Sequence, residues 1–194
     1  TRIYIKLTTD TETEINSQSS KVSAENIKEF FGTLEGLNSE DTVFLSGNII
    51  PGMESDDFVK IAEKVRQKGA KLVVDSNKDM VLNTLKCKPF IVKPNEFELG
   101  EMFGVELSTI EDIKKYAGKL QEMGAQNVLV SRGSKGAILF TSTGEVLVAN
   151  IAKGKVVSTI AAGDSMLAMF VAKYDETKDF RLSLQYASAA GGAT

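Results

Sequence analysis

The 194 residues include 23 basic and 26 acidic side chains, a net charge of −3, with 42% hydrophobic and 25% charged residues. This is the balance of an ordinary soluble globular chain of one domain or slightly more, and no basic block invites nucleic acid or an anionic membrane. Cys87 is the only cysteine and histidine is absent. A disulfide framework, Cys/His zinc sites and histidine-dependent triads are thereby excluded, so acid–base work near neutral pH falls to carboxylates or lysines. These residues show no signal-peptide pattern and no apolar run long enough to span a bilayer, and the lone cysteine suits a reducing, cytoplasmic setting. The chain opens without Met in a strand-like alternation and stops at Thr194 soon after an apolar helical pattern, so it reads as a piece of a longer protein.

Residues 2–8 alternate apolar with polar, Thr9-Asp10-Thr11 makes a turn, and residues 12–15 are again extended, which predicts a β-hairpin with one wet face. From Ser23, a plausible N-cap, Ile27, Phe30, Phe31 and Leu34 follow the i, i+3, i+4, i+7 spacing of an amphipathic helix that Gly36 ends. A regular alternation follows. Thr42-Val43-Phe44-Leu45 reads as a strand, then a helix carries Phe58, Ile61, Ala62 and Val65 up to Gly69. Residues 71–75 form the next strand, with a helix over roughly 78–86. Phe90-Ile91-Val92 is a strand followed by a helix from Asn95. Ser108-Thr109-Ile110-Glu111 has the form of a capping box for a helix bearing Ile113, Tyr116, Ala117 and Leu120, closed by Gly124. Residues 127–130 are a strand, residues 137–140 and 145–149 an antiparallel hairpin around Thr143-Gly144, and helices over roughly 163–174 and 179–191 finish the chain. Short apolar strands alternating with amphipathic helices predict a parallel sheet covered on both faces.

In such sheets ligands bind beyond the carboxyl ends of the strands. The residues there are Ser46-Gly47-Asn48, Asp75-Ser76, Lys93-Pro94-Asn95, Ser131-Arg132-Gly133 and the turn at 161–164. No phosphate-loop pattern G-x-x-x-x-G-K-[ST] occurs, and no G-x-G-x-x-G follows a strand. In Ala161-Ala162-Gly163-Asp164, small residues precede a helix whose N-terminus would favour an anion. Asp164 there is either an N-cap or a group that takes a proton from an acceptor hydroxyl. Asn95 and Glu98 are either a capping pair or neighbours of phosphate oxygens and a hydrated Mg²⁺. The 131–136 turn could bring backbone close to a nucleotide or be only a turn. The loop from Ser46 suits the hydroxyls of a small polar ligand, and Arg2 is an exposed strand residue or a fork for a substrate phosphate. Met166 and Met169 read as core filling.

Together these segments resemble the ribokinase-like superfamily in its phosphofructokinase-B branch. The resemblance runs in order through Thr1-Arg2-Ile3, Ser46-Gly47-x-x-x-Pro51, Val74-Asp75-Ser76, Val92-Lys93-Pro94-Asn95-x-x-Glu98-Leu99, Val130-Ser131-x-Gly133-x-x-Gly136-Ala137 and Ala162-Gly163-Asp164-Ser165-Met166. Thr11-Glu12-Thr13-Glu14-Ile15-Asn16 is most similar to 1-phosphofructokinases, with tagatose-6-phosphate kinase and 6-phosphofructokinase as neighbours.

The resemblance implies an α/β ribokinase-like fold: a mostly parallel sheet with helices on both faces (residues 17–194), plus half of a small β-clasp lid (residues 1–16) that supports a homodimer. It implies transfer of the ATP γ-phosphate to a sugar phosphate, fructose 1-phosphate first among them, with Mg²⁺. Asp164 would be the base, and the backbone of Ala161, Ala162 and Gly163 the anion hole. Lys93, Asn95, Ser131, Gly133 and Gly136 would serve the nucleotide, Glu98 the metal, and Arg2, Ser46, Gly47 and Asn48 the sugar phosphate. A non-catalytic nucleotide- or sugar-phosphate-binding module is the alternative. The chain departs from the family pattern at Ala161, where glycine is usual, at Asn48 and Ile50, where serine and proline are usual, and at Met169, where a small residue is common. The family's early strands and sugar-binding glycine segment are not in these residues.

Overall fold

The computed structural model describes residues 4–8, 12–16, 20–151 and 160–193. Six strands form one sheet in chain order: β3 (Thr42–Gly47), β4 (Lys71–Ser76), β5 (Ile91–Val92), β6 (Asn127–Ser131), β7 (Ala137–Phe140) and β8 (Val146–Ala149). The first four run parallel, and β7 and β8 return antiparallel at one edge, as the apolar runs predict. A separate two-stranded sheet, β1 (Tyr4–Thr8) with β2 (Glu12–Asn16), matches the expected hairpin. Its turn at 9–11 lies outside the described residues, and so does Arg2.

Alternate residues of the central strands serve opposite faces, because successive side chains of a strand point to opposite sides of the sheet. Val74, Val92, Val128, Val130 and Ile138 pack with α2 (Ser55–Gln67), α3 (Lys78–Thr84), α4 (Glu96–Phe103) and α5 (Ile110–Met123). Val73, Ile91, Leu129 and Leu139 pack with α6 (Ala162–Thr177) and α7 (Phe180–Ala193). Phe170 of α6 is fully buried in that second layer, a burial that contributes on the order of 2–3 kcal/mol. Tyr174 stacks on Phe180 at 4.6 Å and meets Phe90 at 5.1 Å, and Lys71 at the start of β4 pairs with Asp175. These contacts anchor the C-terminal half of α6 at the amino end of the sheet. The direction of the helix then carries its first turn to the carboxyl ends of the strands.

Two local readings need correction. The capping box of α5 starts one residue later than expected: Thr109 is the N-cap, its hydroxyl accepts from the Asp112 amide at 3.1 Å, and the Asp112 carboxylate accepts from the Thr109 amide at 3.0 Å. Aspartate serves as well as glutamate because the shorter acid also reaches back to the N-cap amide. Met166 is in the core, but Met169 is 38% exposed, because the buried stripe of α6 runs through Met166, Leu167, Phe170 and Val171 and Met169 lies beyond its edge. In α1 (Ala24–Thr33), Ser23 caps as expected, yet no helical residue is buried and Phe30 is 42% exposed. The amphipathic face is present, but among the described residues little packs on it.

Candidate active site

Helix α6 begins at an unusual residue. Ala161 is its N-cap and sits in the left-handed region at φ 60°, ψ 4°. That conformation costs a residue with a Cβ about 1–2 kcal/mol. The sharp turn it makes leaves the amides of Ala162, Gly163 and Asp164 at the start of the helix, where no intrahelical carbonyl can accept from them. No side chain caps this end. Asp164 is the third helical residue and therefore not the N-cap. Among the described residues its exposed carboxylate makes no hydrogen bond or ion pair. An acid at this position is favoured by the helix dipole yet remains open to solvent.

Lys93 lies beneath this turn. It follows β5, is almost fully buried, and pairs through its ammonium with Asp75 Oδ2 at 3.0 Å. Gly163 is helical, so its backbone would accept any residue, but a Cβ there would stand 3.2 Å from the Lys93 Nζ. Glycine at 163 thus gives the ammonium room to reach the helix N-terminus, where a Cβ would push it back. Burial pushes the Asp75 carboxyl above the usual carboxylate range. Lys93 opposes that shift, and the nearby charges of Asp164 and Glu98 add to it. The one ion pair that Lys93 makes among the described residues is thus with a carboxylate whose own ionisation burial opposes.

Helix α4 opens the next wall. Its N-cap Asn95 accepts from the Glu98 amide at 2.8 Å, and Glu98 Oε2 accepts from the Asn95 amide at 2.7 Å. The pair is a complete capping box, as one of the two sequence readings had it. That engages one oxygen of each side chain and, among the described residues, leaves the other Glu98 oxygen without a partner. Asn95 bridges Ser131 in parallel register, and the Ser131 amide donates to Pro94 O at 3.1 Å. The 131–136 turn closes on itself through Arg132 N to Gly136 O at 2.8 Å. Within it, a Cβ on Gly133 would meet only open space, whereas one on Gly136, at φ 85°, would lie 2.0 Å from Ala149 O. Gly136 is therefore required by packing against β8, and Gly133 faces the open side.

At the end of β3, Ser46 is in register with Asp75, one strand from Lys93. Gly47 O accepts from the Ser76 hydroxyl, and Asn48 Oδ1 accepts from Asn77 Nδ2 at 3.0 Å. Ser46, Gly47 and Asn48 are all exposed on this side of the sheet. Among the described residues no group of three or more acidic, cysteine or histidine side chains converges as a metal cage. A hydrated Mg²⁺ carried on phosphates needs only one or two carboxylates, a demand that the Glu98 carboxylate at the start of α4 would fit. The acid of the Val74-Asp75-Ser76 segment and the Arg132–Glu96 contact (2.7 Å) carry no role in the sequence reading. The only signal for Asp75 is a charged residue ending an apolar strand, and for the Arg132 pair, 36 residues apart, there is none.

The pfkB family carbohydrate kinase pattern matches residues 1–194. The chain belongs to the pfkB family of carbohydrate kinases. It is 40% identical over its whole length to a 1-phosphofructokinase of Bacillus subtilis and 34% identical to a D-tagatose-1-phosphate kinase of Bacillus licheniformis. In both cases it spans 64% of the relative's length. The fold superposes on Escherichia coli phosphofructokinase-2 in complex with substrates and products with a TM-score of 0.90 at 22% identity, over 99% of this chain and 63% of that one. The architecture is the expected ribokinase-like one. Among the described residues no helix is long and apolar enough to cross a membrane.

Proposed function

We propose that the full-length protein transfers the γ-phosphate of ATP to a hydroxyl of a sugar phosphate, with fructose 1-phosphate as its best acceptor. The observation that carries this reading is the Lys93 ammonium packed against Gly163 at the N-terminus of α6, with the exposed Asp164 carboxylate, unpaired among the described residues, one residue further on. Phosphoryl transfer through a loose transition state asks the protein mainly for positioning and for stabilisation of spread negative charge. The amides of the 161–163 turn and the Lys93 cation supply that stabilisation from fixed positions. Asp164 accepts the acceptor hydroxyl's proton. A carboxylate suffices because that transfer comes late, when the oxygen has become acidic.

Asn95, Ser131 and Gly133 line the nucleotide side, and Ser46, Gly47 and Asn48 the sugar-phosphate side, with Arg2 as the phosphate fork. Glu98 would hold a hydrated Mg²⁺, whose charge neutralises the polyphosphate when bound. The hairpin β1–β2, which stands apart from the central sheet, is read as part of a lid over the sugar and of a homodimer contact, a role that sedimentation of the full-length protein tests. A non-catalytic binding module draws its support from alanine at 161, but Ala161 adopts the left-handed turn despite its Cβ.

The test is turnover of the full-length protein with ATP and Mg²⁺ against fructose 1-phosphate, fructose 6-phosphate, tagatose 1-phosphate and tagatose 6-phosphate. Asp164→Asn should lower kcat by about 10²–10⁴-fold, the usual contribution of a positioned base, while ATP still binds. Unchanged kcat in that variant rejects the proton-acceptor role, and a better acceptor than fructose 1-phosphate rejects the specificity.

A further inference from the structure

Arg132 and Glu96 form an ion pair between the two segments assigned above to the nucleotide, and the inference here rests on that assignment. Glu96 is the first residue of α4, and Arg132 stands at the base of the 131–136 turn. Arg132 Nε donates to Glu96 Oε1 at 2.7 Å, and Lys135 Nζ lies 3.8 Å from the other carboxylate oxygen. The side chains of Arg132 and Glu96 are 13% and 30% exposed, so this pair is screened less than an ion pair on open surface. The backbone link between the two segments is a single bridge at Asn95 and Ser131. The ion pair adds a side-chain brace beside that bridge.

Charge gives the brace a second consequence. Glu96 and Glu98 are both in the first turn of α4, next to Asn95. A polyphosphate approaching this helix end would meet two carboxylates. Glu98 can be used through a divalent cation, but Glu96 is only an obstacle unless it is neutralised. We propose that Arg132 is a positioning residue for nucleotide binding: it neutralises Glu96 and holds the 131–136 turn against the start of α4.

A residue that acts by cancelling a charge has a signature that a merely structural residue lacks, which is rescue when the charge itself is removed. In the full-length protein, Arg132→Ala should weaken ATP binding, read by calorimetry with Mg²⁺, by about tenfold or more, equivalent to about 1.4 kcal/mol. Glu96→Gln should change it less than about threefold. The double variant Arg132→Ala/Glu96→Gln should recover most of the loss. Sugar-phosphate affinity should not move in any of them. Should Arg132→Ala fail to fold, Arg132→Lys is read instead, expected to bind ATP a fewfold more weakly because a point charge replaces the planar fork. Unchanged ATP affinity in the Arg132 variants, or a double variant as weak as Arg132→Ala, overturns the proposal. Because binding is read without turnover, a wild type that shows this pattern but phosphorylates no sugar phosphate keeps the pair and rejects the kinase reading. A wild type that binds no ATP rejects both.

Discussion

The Lys93 ammonium and the Gly163 backbone are packed so closely that a Cβ at position 163 would lie 3.2 Å from Nζ. Glycine here answers to a neighbouring cation and not to a backbone angle. Gly163→Ala should therefore be close to neutral for stability: alanine favours the helix by up to about 1 kcal/mol, and the flexible lysine end can give way. The displaced ammonium should lower turnover by about tenfold or more. Thermal unfolding and kcat measured on the same preparation check both halves, and a variant with full turnover would show that Lys93 does not serve the turn.

Asp75 gives a pH dependence with a definite sign. Burial raises its carboxyl above its ordinary value of 3.8, with Lys93 opposing and Asp164 and Glu98 adding. Between that value and the raised one, the folded protein retains a proton that the unfolded chain has lost. The group's contribution to stability is thus fully present below the unfolded value and is lost as pH rises through the folded one. In Asp75→Asn this loss is absent. The stability of wild type minus that of the variant, from urea unfolding, should therefore shrink as pH is raised from about 3.5 to neutrality. A difference that grows with pH would contradict the burial-dominated assignment.

Ala161 holds φ 60° against its own Cβ. Ala161→Gly removes that strain, offset in part by the greater freedom of glycine in the unfolded chain. A net gain of about 0.5–1 kcal/mol is expected in urea unfolding, with turnover equal to or above wild type. Loss of stability would mean that the alanine methyl makes a packing contact that outweighs the strain.

The two roles of the Asn95–Glu98 pair separate by charge. Glu98→Gln keeps an acceptor oxygen for the Asn95 amide, which Glu98 now binds at 2.7 Å, and so should leave the melting temperature nearly unchanged. It removes the carboxylate, and the Mg²⁺ concentration needed for half-maximal turnover should rise several-fold. Asn95→Ala, by contrast, loses the cap and should cost about 1 kcal/mol. An unaltered Mg²⁺ requirement in Glu98→Gln would leave the residue as a cap alone.

Local patterns disclosed most of the architecture. Near-continuous apolar runs at 72–74, 90–92 and 127–130 are what strands buried on both faces require, and Gly124 stopped α5 where the periodicity ended. The polar residues beyond those runs marked the carboxyl ends of the strands, because a parallel sheet aligns them all on one edge. Chemistry confined to neighbours in sequence, such as the Asn95–Glu98 pair, was equally readable, since helix geometry alone brings those side chains together.

What needed the folded chain was every relation between distant segments. Asp75 and Lys93 are 18 residues apart and meet because β4 and β5 are adjacent. Lys93 lies under Gly163 because α6 crosses the opposite face of the sheet, and Arg132 reaches Glu96 across the Asn95–Ser131 bridge. The 161–164 stretch shows the division most clearly. Its small residues before an acid were visible as a possible anion site, but only the three-dimensional structure puts Asp164 at the third helical position, exposed and one residue beyond the glycine that packs against buried Lys93. Periodicity in a sequence records which face of an element is buried. It carries no record of which other element arrives there, because strand order and helix placement arise from the packing of the whole chain.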